Sequence, residues 1–186
     1  MGWHQSSNSK PVVYSREVKS PKIILVAHNI RSCHNVGSLM RTAEGLGLEK
    51  LYLSGYSPYP AMNGDGRLPH ITAKLSRQIH KTALGAEESL NWQHEGEAMS
   101  LIERLRSDGY KIVALEQSAS SIDLADYKPS QNLALIVGGE VKGLDSKILK
   151  ICDEIIEIPM YGQKESFNVS VAAGIALYHL KSTLVK

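Results

Sequence analysis

Five short, almost continuously apolar runs constrain the fold of this chain more than any other feature of its sequence. A strand that is apolar on both faces must be covered on both faces, which is typical of parallel sheets between two helical layers. The runs therefore predict a mostly parallel sheet. They occupy residues 22–27, 50–53, 110–116, 133–137 and 154–158.

Amphipathic or apolar stretches alternate with these runs and predict helices. The predicted helices span residues 35–46, 71–88 with an interruption at Gly85, 97–107, 145–151 and 168–184. Residues 57–69, which contain three prolines and two glycines, predict an irregular loop. We therefore expect one α/β domain over residues 21–186, with helices on both faces of the sheet, after a flexible basic arm over residues 1–20.

Composition limits the class of protein. The chain has 186 residues, of which 42% are hydrophobic and 22% charged, and this mixture predicts a folded globular domain. The sequence contains neither an apolar run of membrane-spanning length nor a secretory signal pattern, so we expect a cytoplasmic protein without membrane contact. The two cysteines and seven histidines lack metal-ligand spacing, and we expect no metal site.

Basic side chains are concentrated in the first half of the chain. Residues 1–81 contain 11 Lys and Arg against 4 Asp and Glu, whereas residues 82–186 contain 10 against 15. A basic half can attract a polyanion through phosphate contacts that do not depend on sequence. Because charge also drifts along ordinary solvated surfaces, this feature alone leaves both interpretations open.

The first predicted helix carries a candidate anion site. Asn35 is placed at its N-cap and Arg41 opposite its apolar stripe, with Gly37 and Gly45 one turn to either side of the arginine. That spacing would give a bulky anion beside the arginine room to approach the backbone. An ordinary cap and an ordinary exposed arginine would produce the same pattern.

A glycine-rich turn directly follows the predicted strand at 133–137. Ligands of parallel α/β sheets bind outside the carboxyl ends of the strands. Gly138, Gly139 and Gly143 would let the main chain pass close to a flat ligand there, with Glu140 as a carboxylate beside it. A tight turn with Glu140 in solvent is the alternative interpretation.

The last predicted helix is preceded by Ser166 and Asn168, either of which could serve only as its N-cap. The small and apolar residues of that helix predict burial, inside the fold or across a dimer interface. The chain lacks the P-loop, the GxGxxG dinucleotide motif and the GxSxG hydrolase motif, which argues against those enzyme classes.

Three segments, taken in order, form a much more specific pattern than any one of them. They are His34-Asn35-Val36-Gly37 with Arg41-Thr42-Ala43, then Gly138-Gly139-Glu140 with Gly143-Leu144, then Ile158-Pro159-Met160 with Ser166-Phe167-Asn168-Val169-Ser170-Val171-Ala172. This pattern closely resembles the three motifs of the SpoU/TrmH-like RNA 2′-O-ribose methyltransferases, a branch of the SPOUT superfamily. The resemblance covers roughly residues 22–184.

The resemblance implies a deep trefoil knot in the C-terminal part of the chain, S-adenosylmethionine as cofactor without a metal, and a homodimer. It implies catalytic roles for five polar residues, Arg41, Asn35, Glu140, Ser166 and Asn168. The implied cofactor cradle, which is largely main chain, consists of Leu115, Gly138, Gly139, Ile158, Met160, Ser166 and Phe167.

The implied activity is methylation of a ribose 2′-hydroxyl in structured RNA, with transfer RNA favoured over ribosomal RNA. Arg41 would clamp the neighbouring phosphate and stabilise negative charge on the attacking oxygen. A non-catalytic RNA-binding module with the same fold and a small-molecule nucleotide enzyme are the alternatives. The candidates for contacts with the RNA backbone are Arg31, Arg67, Lys74, Arg77 and Lys81.

Overall fold

The computed structural model describes residues 21–184, so the predicted arm at residues 1–20 lies outside the described residues. The strands are β1 (Ile23–His28), β2 (Lys50–Ser54), β3 (Trp92–Glu95), β4 (Lys111–Leu115), β5 (Ile122–Asp123), β6 (Leu133–Val137) and β7 (Glu154–Glu157). They form one sheet in the order β3-β2-β1-β6-β4-β7-β5, and every neighbouring pair runs parallel. The prediction of a mostly parallel α/β sheet is confirmed.

The helices are α1 (Cys33–Gly45), α2 (Pro69–Ala83), α3 (Ala86–Ser89), α4 (Ala98–Ser107), α5 (Ser146–Ile151) and α6 (Val169–Leu184). The predicted interruption at Gly85 is confirmed, because Leu84 and Gly85 both adopt left-handed backbone conformations between α2 and α3. Within residues 21–184, no helix combines the length and the hydropathy that crossing a bilayer requires.

Alternating residues of the central strand β1 divide the interior into two hydrophobic cores. Leu25 and Ala27 face the core that contains buried residues of α1, α2 and α6. Ile24 and Val26 face the core that contains buried residues of α4 and α5. Helices therefore cover both faces of the sheet, as predicted, and this explains why the central strands are apolar at every position.

Two strands, β3 and β5, are missing from the sequence prediction. Both lie at the edges of the sheet. The strand β3 has the polar sequence Trp-Gln-His-Glu, and β5 has only two residues, Ile122 and Asp123. An edge strand need not be apolar on both faces, so a search for apolar runs does not detect it.

The start of α1 differs from the prediction. Ser32, rather than Asn35, is the N-cap, and its side-chain oxygen accepts a hydrogen bond of 3.3 Å from the Asn35 amide. The helix therefore begins at Cys33. The Asn35 side chain, released from the capping role, is free to point towards the glycine turn after β6.

The expectation that an anion can approach the backbone at Gly37 is wrong, because Gly37 is buried against α2. A Cβ atom at Gly37 would lie 2.9 Å from the Ala83 amide nitrogen and would also collide with the Thr82 hydroxyl. The Thr82 hydroxyl donates a 2.8 Å hydrogen bond to the carbonyl of His34, which ties α2 to the first turn of α1. Gly45, by contrast, faces open space.

The helix α6 is confirmed but is not buried all round within the single chain. Ala173 and Leu177 are fully buried, whereas Val171, Ile175 and Tyr178 are 49%, 41% and 68% exposed. These three residues are four and three positions apart and form one apolar stripe, which we call the α6 stripe. The trefoil knot implied by the resemblance stays a prediction.

The close contact at Gly37 predicts a loss of stability on substitution. We expect Gly37→Ala to lower the free energy of unfolding by about 1–3 kcal/mol, because α2 must move to admit a methyl group. The measurement is urea denaturation of both proteins. Gly45→Ala, in the same helix but without neighbours, is the control and should be neutral or stabilising by up to about 1 kcal/mol. Equal stability of the two variants would contradict the packing argument.

Candidate functional site

A cleft of about 320 Å³ opens at the carboxyl ends of β4, β6 and β7. Its walls come from the segments that follow these strands and from the segment that leads into α6. The lining residues are Leu115, Glu116, Gln117, Val137, Gly138, Gly139, Glu140, Val141, Lys142, Gly143, Glu157, Ile158, Glu165, Ser166, Phe167, Val169 and Ala172. The location agrees with the general rule for ligand sites in parallel sheets.

The glycine turn after β6 is closed on itself and admits no side chain at Gly138. A Cβ atom there would lie 2.6 Å from the Leu144 amide nitrogen and would collide with the Gly143 carbonyl group. The Glu116 carboxylate, at the end of β4, accepts a 3.0 Å hydrogen bond from the Leu144 amide and fixes the far end of the turn. One wall of the cleft is therefore bare main chain held in a set shape.

The Glu140 carboxylate connects this turn to the start of α1. It accepts hydrogen bonds from the Arg31 amide at 3.1 Å, from the Ser32 amide at 3.3 Å and from the Asn35 side chain at 2.7 Å. Burial on its own raises the pKa of Glu140, but these hydrogen bonds outweigh burial and hold the pKa below its usual range. Glu140 is therefore an ionised acceptor at neutral pH, suited to positioning other groups.

The segment before α6 joins the same network. The side-chain nitrogen of Asn168 donates a 3.1 Å hydrogen bond to the side-chain oxygen of Asn35. The Asn168 side-chain oxygen accepts from the amide and the hydroxyl of Ser170, so Asn168 also caps α6. The structure thus brings Asn35, Glu140 and Asn168 together from three remote parts of the chain, with Ser166 in the adjoining cleft.

Most of the residues predicted to hold a cofactor lie in this cleft. They are Leu115, Gly138, Gly139, Ile158, Ser166 and Phe167. Met160 follows Ile158 by two residues and is half-buried outside the lining of the cleft. Its assignment rests on the resemblance alone.

Arg41 lies apart from the other predicted catalytic residues. It is six residues beyond Asn35 in α1, which corresponds to about 9 Å along the helix axis. Its exposed side chain lines a second, shallower cavity together with Lys81, Thr82 and Leu84 of the α2 region. Two cationic side chains that share one cavity favour an anion such as a phosphate.

Four of the five predicted RNA-contact residues have exposed side chains, namely Arg31, Lys74, Arg77 and Lys81. Arg67 is different because its guanidinium is engaged within the fold. It binds the Asp65 carboxylate at 2.6 Å, lies 3.4 Å from the centre of the Tyr59 ring, and donates to main-chain carbonyls. The hydrogen bond from Arg67 lowers the pKa of Asp65 to about 2. These contacts argue for a structural role of Arg67 in the loop after β2.

A hydrogen-bonded network that the sequence predictions do not include lies at the end of β1. The His28 ring is buried. Its Nδ1 lies 2.8 Å from the Ser54 hydroxyl, and its Nε2 lies 2.8 Å from the side-chain nitrogen of Asn29. The Asn29 nitrogen can only donate, so Nε2 accepts and the proton is on Nδ1. The Asn29 side-chain oxygen accepts from the Tyr56 amide at 3.1 Å. A histidine that ends a buried strand is the one sequence signal that could have indicated this network.

The part of the chain that the structure describes contains no cluster of metal-ligating side chains. Among residues 21–184, no group of three or more His, Cys, Asp or Glu side chains is placed to hold a metal ion. Cys33 and Cys152 are both free and half-buried, and burial raises the pKa of each thiol.

The geometry agrees with a comparison against known families. Residues 22–178 match the model of the SpoU rRNA Methylase family. The chain belongs to this family. The match includes all three motif segments and ends within α6, before its last residues.

Curated relatives of known name support the assignment to the family. The chain is 31% identical over 164 residues to the tRNA (guanosine(18)-2′-O)-methyltransferase of Borreliella burgdorferi, covering 88% of this chain and 68% of the relative. It is 30% identical over 165 residues to the enzyme of the same name from Aquifex aeolicus, covering 87% and 70%. It is 31% identical over 160 residues to the 23S rRNA (guanosine(2553)-2′-O)-methyltransferase RlmP of Bacillus subtilis, covering 85% and 57%.

Solved structures share the fold. An AdoMet-bound rRNA methyltransferase from Sinorhizobium meliloti superposes with a TM-score of 0.77 at 21% identity, covering 90% of this chain and 59% of that one. The Aquifex aeolicus TrmH/SpoU tRNA modifying enzyme superposes with a TM-score of 0.72 at 25% identity, covering 88% and 77%. The parallel sheet and its helical layers are therefore the fold of this family.

The His28 network predicts a pH-dependent stability. Burial lowers the pKa of His28 below its ordinary value of 6.5, so the folded protein favours the neutral ring and the unfolded chain takes up the proton first. The stabilisation is present above pH 6.5 and is lost as the pH falls through the folded-state pKa. We expect wild type to lose more free energy of unfolding than His28→Gln between about pH 8 and about pH 5. Urea denaturation at both pH values checks this, and parallel losses would contradict it.

Proposed function

We propose that this protein is an S-adenosylmethionine-dependent methyltransferase that modifies a ribose 2′-hydroxyl of RNA. The observation that carries the proposal is the hydrogen-bonded connection of Asn35, Glu140 and Asn168 beside a glycine-walled cleft. Family membership and the names of the relatives support the same reaction. A cytoplasmic location, with RNA as the partner, is part of this proposal.

The cleft has the properties that S-adenosylmethionine requires. The main-chain wall at Gly138 and Gly139 lets a flat adenine ring approach closely, and carboxylates around the cleft suit a cation. When bound, the cofactor supplies a methyl group on positively charged sulfur. The residues that would hold it are Leu115, Gly138, Gly139, Ile158, Ser166 and Phe167, together with Met160 as the resemblance implies.

The polar residues of the chain have separate tasks in this proposal. Glu140 remains ionised and orients Asn35, which in turn orients Asn168. Arg41 clamps a phosphate next to the target ribose and stabilises negative charge on the attacking oxygen. A guanidinium is a poor base because it already carries its proton at neutral pH. In this proposal the 2′-hydroxyl proton passes to the neighbouring phosphate or to a transiently neutral guanidine as the new O–C bond forms and the sulfonium C–S bond breaks.

We also propose that the protein is a homodimer with the α6 stripe at its interface. Val171, Ile175 and Tyr178 form an exposed apolar stripe, which a second copy would bury. A Cβ atom at Gly174 would lie 3.8 Å from the side chain of Thr42, the neighbour of Arg41. A partner docked on α6 would therefore lie beside Arg41, where this arginine could complete the partner's site.

Transfer RNA is the RNA class that we favour, because two of the three relatives above act by name on tRNA. The exposed side chains of Arg31, Lys74, Arg77 and Lys81 provide the proposed phosphate-binding surface. Arg67 is left out of this surface because Asp65 neutralises it.

Purified protein with radiolabelled S-adenosylmethionine should methylate total tRNA from cells that lack the gene, with rRNA tested in parallel. Mass spectrometry of the digested RNA should find a 2′-O-methylated nucleoside. We expect Arg41→Ala to lower kcat by about 10²-fold or more while the affinity for the cofactor, measured by calorimetry, stays within about twofold. Arg41→Lys should recover little of the activity, because a lysine lacks the planar fork.

The same experiment separates the alternatives. Cofactor binding without methylation of either RNA class would favour a non-catalytic RNA-binding module. Failure to bind S-adenosylmethionine at all would contradict the proposed function. Full activity of Arg41→Ala would remove that residue from the mechanism.

The proposed contribution of Arg41 across the dimer predicts complementation between two inactive variants. The two variants, Arg41→Ala and Glu140→Ala, are unfolded together and refolded, so that about half of the dimers contain one subunit of each. Each mixed dimer then has one intact site of two. The mixture should therefore recover about a quarter of wild-type activity. Each variant refolded alone is the control. Complete inactivity of the mixture would place Arg41 and Glu140 in the same subunit's site.

A further inference from the structure

A third cavity, of about 530 Å³, lies at the carboxyl ends of β1, β2 and β3, next to the cofactor cleft. Aromatic and basic side chains dominate its walls, among them Tyr56, Tyr59, His94 and Arg31. The amide of Arg31, in the wall of this cavity, donates a hydrogen bond to Glu140 in the wall of the cofactor cleft, so the two cavities adjoin. The proposed cofactor site does not use this third cavity, and the proposed phosphate-binding surface shares only Arg31 with it.

Tyr56 is an exposed member of the wall, with 65% of its surface accessible. Its hydroxyl lies 3.6 Å from the position that a Cβ atom would take on Gly139. The ring therefore stands at the border between the third cavity and the glycine turn of the cofactor cleft. An aromatic ring in such a position can stack a flat ligand whose other end reaches into the cleft.

The backbone of Tyr56 is fixed although its ring is exposed. Its amide donates to the Asn29 side chain, which is held by the buried His28 ring. Gly55 has a φ of +65°, and a Cβ atom there would collide with Asn29, so the turn before Tyr56 accepts only glycine. A buried network that fixes an exposed aromatic residue indicates a preorganised binding surface.

The remainder of the wall leaves Tyr56 as the open aromatic face, because His94 and Arg67 cover the two faces of Tyr59. The rings of Tyr59 and His94 stack with centroids 4.0 Å apart, and the Arg67 guanidinium lies over Tyr59. The Asp65 carboxylate that balances Arg67 is only 9% exposed. The exposed side chain of Arg31 stands at the rim. An open aromatic face beside a cationic rim binds an unpaired base and its phosphate, which is how proteins recognise single-stranded parts of RNA.

We propose that the third cavity receives an unpaired base of the RNA substrate, stacked on Tyr56, with its phosphate near Arg31. This base belongs to the nucleotide whose ribose reaches the Glu140 network, or to its immediate neighbour, because the two cavities adjoin. The inference rests on the proposed function, since it names a subsite for the same RNA. Tyr56 is then a substrate-binding residue that sequence motifs did not indicate.

The test uses substitutions of Tyr56 in the full-length protein, with total tRNA and rRNA from cells that lack the gene as the RNA probe. We expect Tyr56→Ala and Tyr56→Leu to raise the KM for RNA by about tenfold or more, because both remove the stacking face. Tyr56→Trp and Tyr56→Phe retain an aromatic face and should keep KM within about threefold of wild type. Ile122→Ala, at the distant edge strand β5, is the matched control for loss of an exposed apolar side chain.

Three further readouts distinguish binding from other roles. The affinity for S-adenosylmethionine and the molecular mass in solution should be the same in all variants. Ultraviolet cross-linking of wild-type protein to the same RNA, mapped by mass spectrometry, should place an adduct on the peptide that contains Tyr56. Cross-linking does not depend on turnover, so it tests the subsite separately from the reaction.

The outcomes have different consequences. An active wild type with an unchanged KM in Tyr56→Leu, and adducts elsewhere, would overturn the subsite and leave the proposed function intact. A changed cofactor affinity or a monomeric Tyr56→Leu would instead assign Tyr56 to the cofactor cleft or to a subunit contact, and would also overturn the proposal. Wild-type protein that neither methylates nor cross-links any RNA would refute the proposed function itself.

Discussion

The charge on Glu140 holds together parts of the chain that the sequence separates by more than a hundred positions. One carboxylate accepts hydrogen bonds from two consecutive main-chain amides and from the Asn35 side chain. The turn after β6, the entry to α1 and the start of α6 take their relative positions from it, the last through Asn168. Loss of that single charge would leave two amides and one side chain without their shared acceptor.

The order of the strands explains why these parts meet. From the central strand β1, the sheet continues to β2 and β3 on one side and to β6, β4 and β7 on the other side. The loops that leave β1 and β6 therefore start side by side at the carboxyl edge of the sheet, where parallel α/β sheets place their ligand sites. The Asn29 carbonyl lies 2.5 Å from where a Cβ atom of Gly139 would be, so the backbones of these two loops are in direct contact.

Much of this arrangement could be predicted from the sequence, and the remainder could not for physical reasons. Apolar runs marked the central strands because both of their faces are buried, whereas the polar strand β3 left no such signal. The motif pattern indicated Asn35, Glu140 and Asn168, which the fold brings into contact. The position of Arg41 in another cavity, and the role of Gly37 in helix packing, depend on how α1 and α2 approach each other. Local sequence does not specify that approach.

The layer formed by α4 and α5 covers the face of the sheet opposite to α1 and α6. Neither Arg41 nor the α6 stripe lies on that layer. A dye, an affinity handle or a surface linker attached at the exposed Glu103 of α4 would leave the opposite side accessible to a large polyanion. Glu103 is therefore a suitable attachment point for single-molecule measurements on the tethered protein.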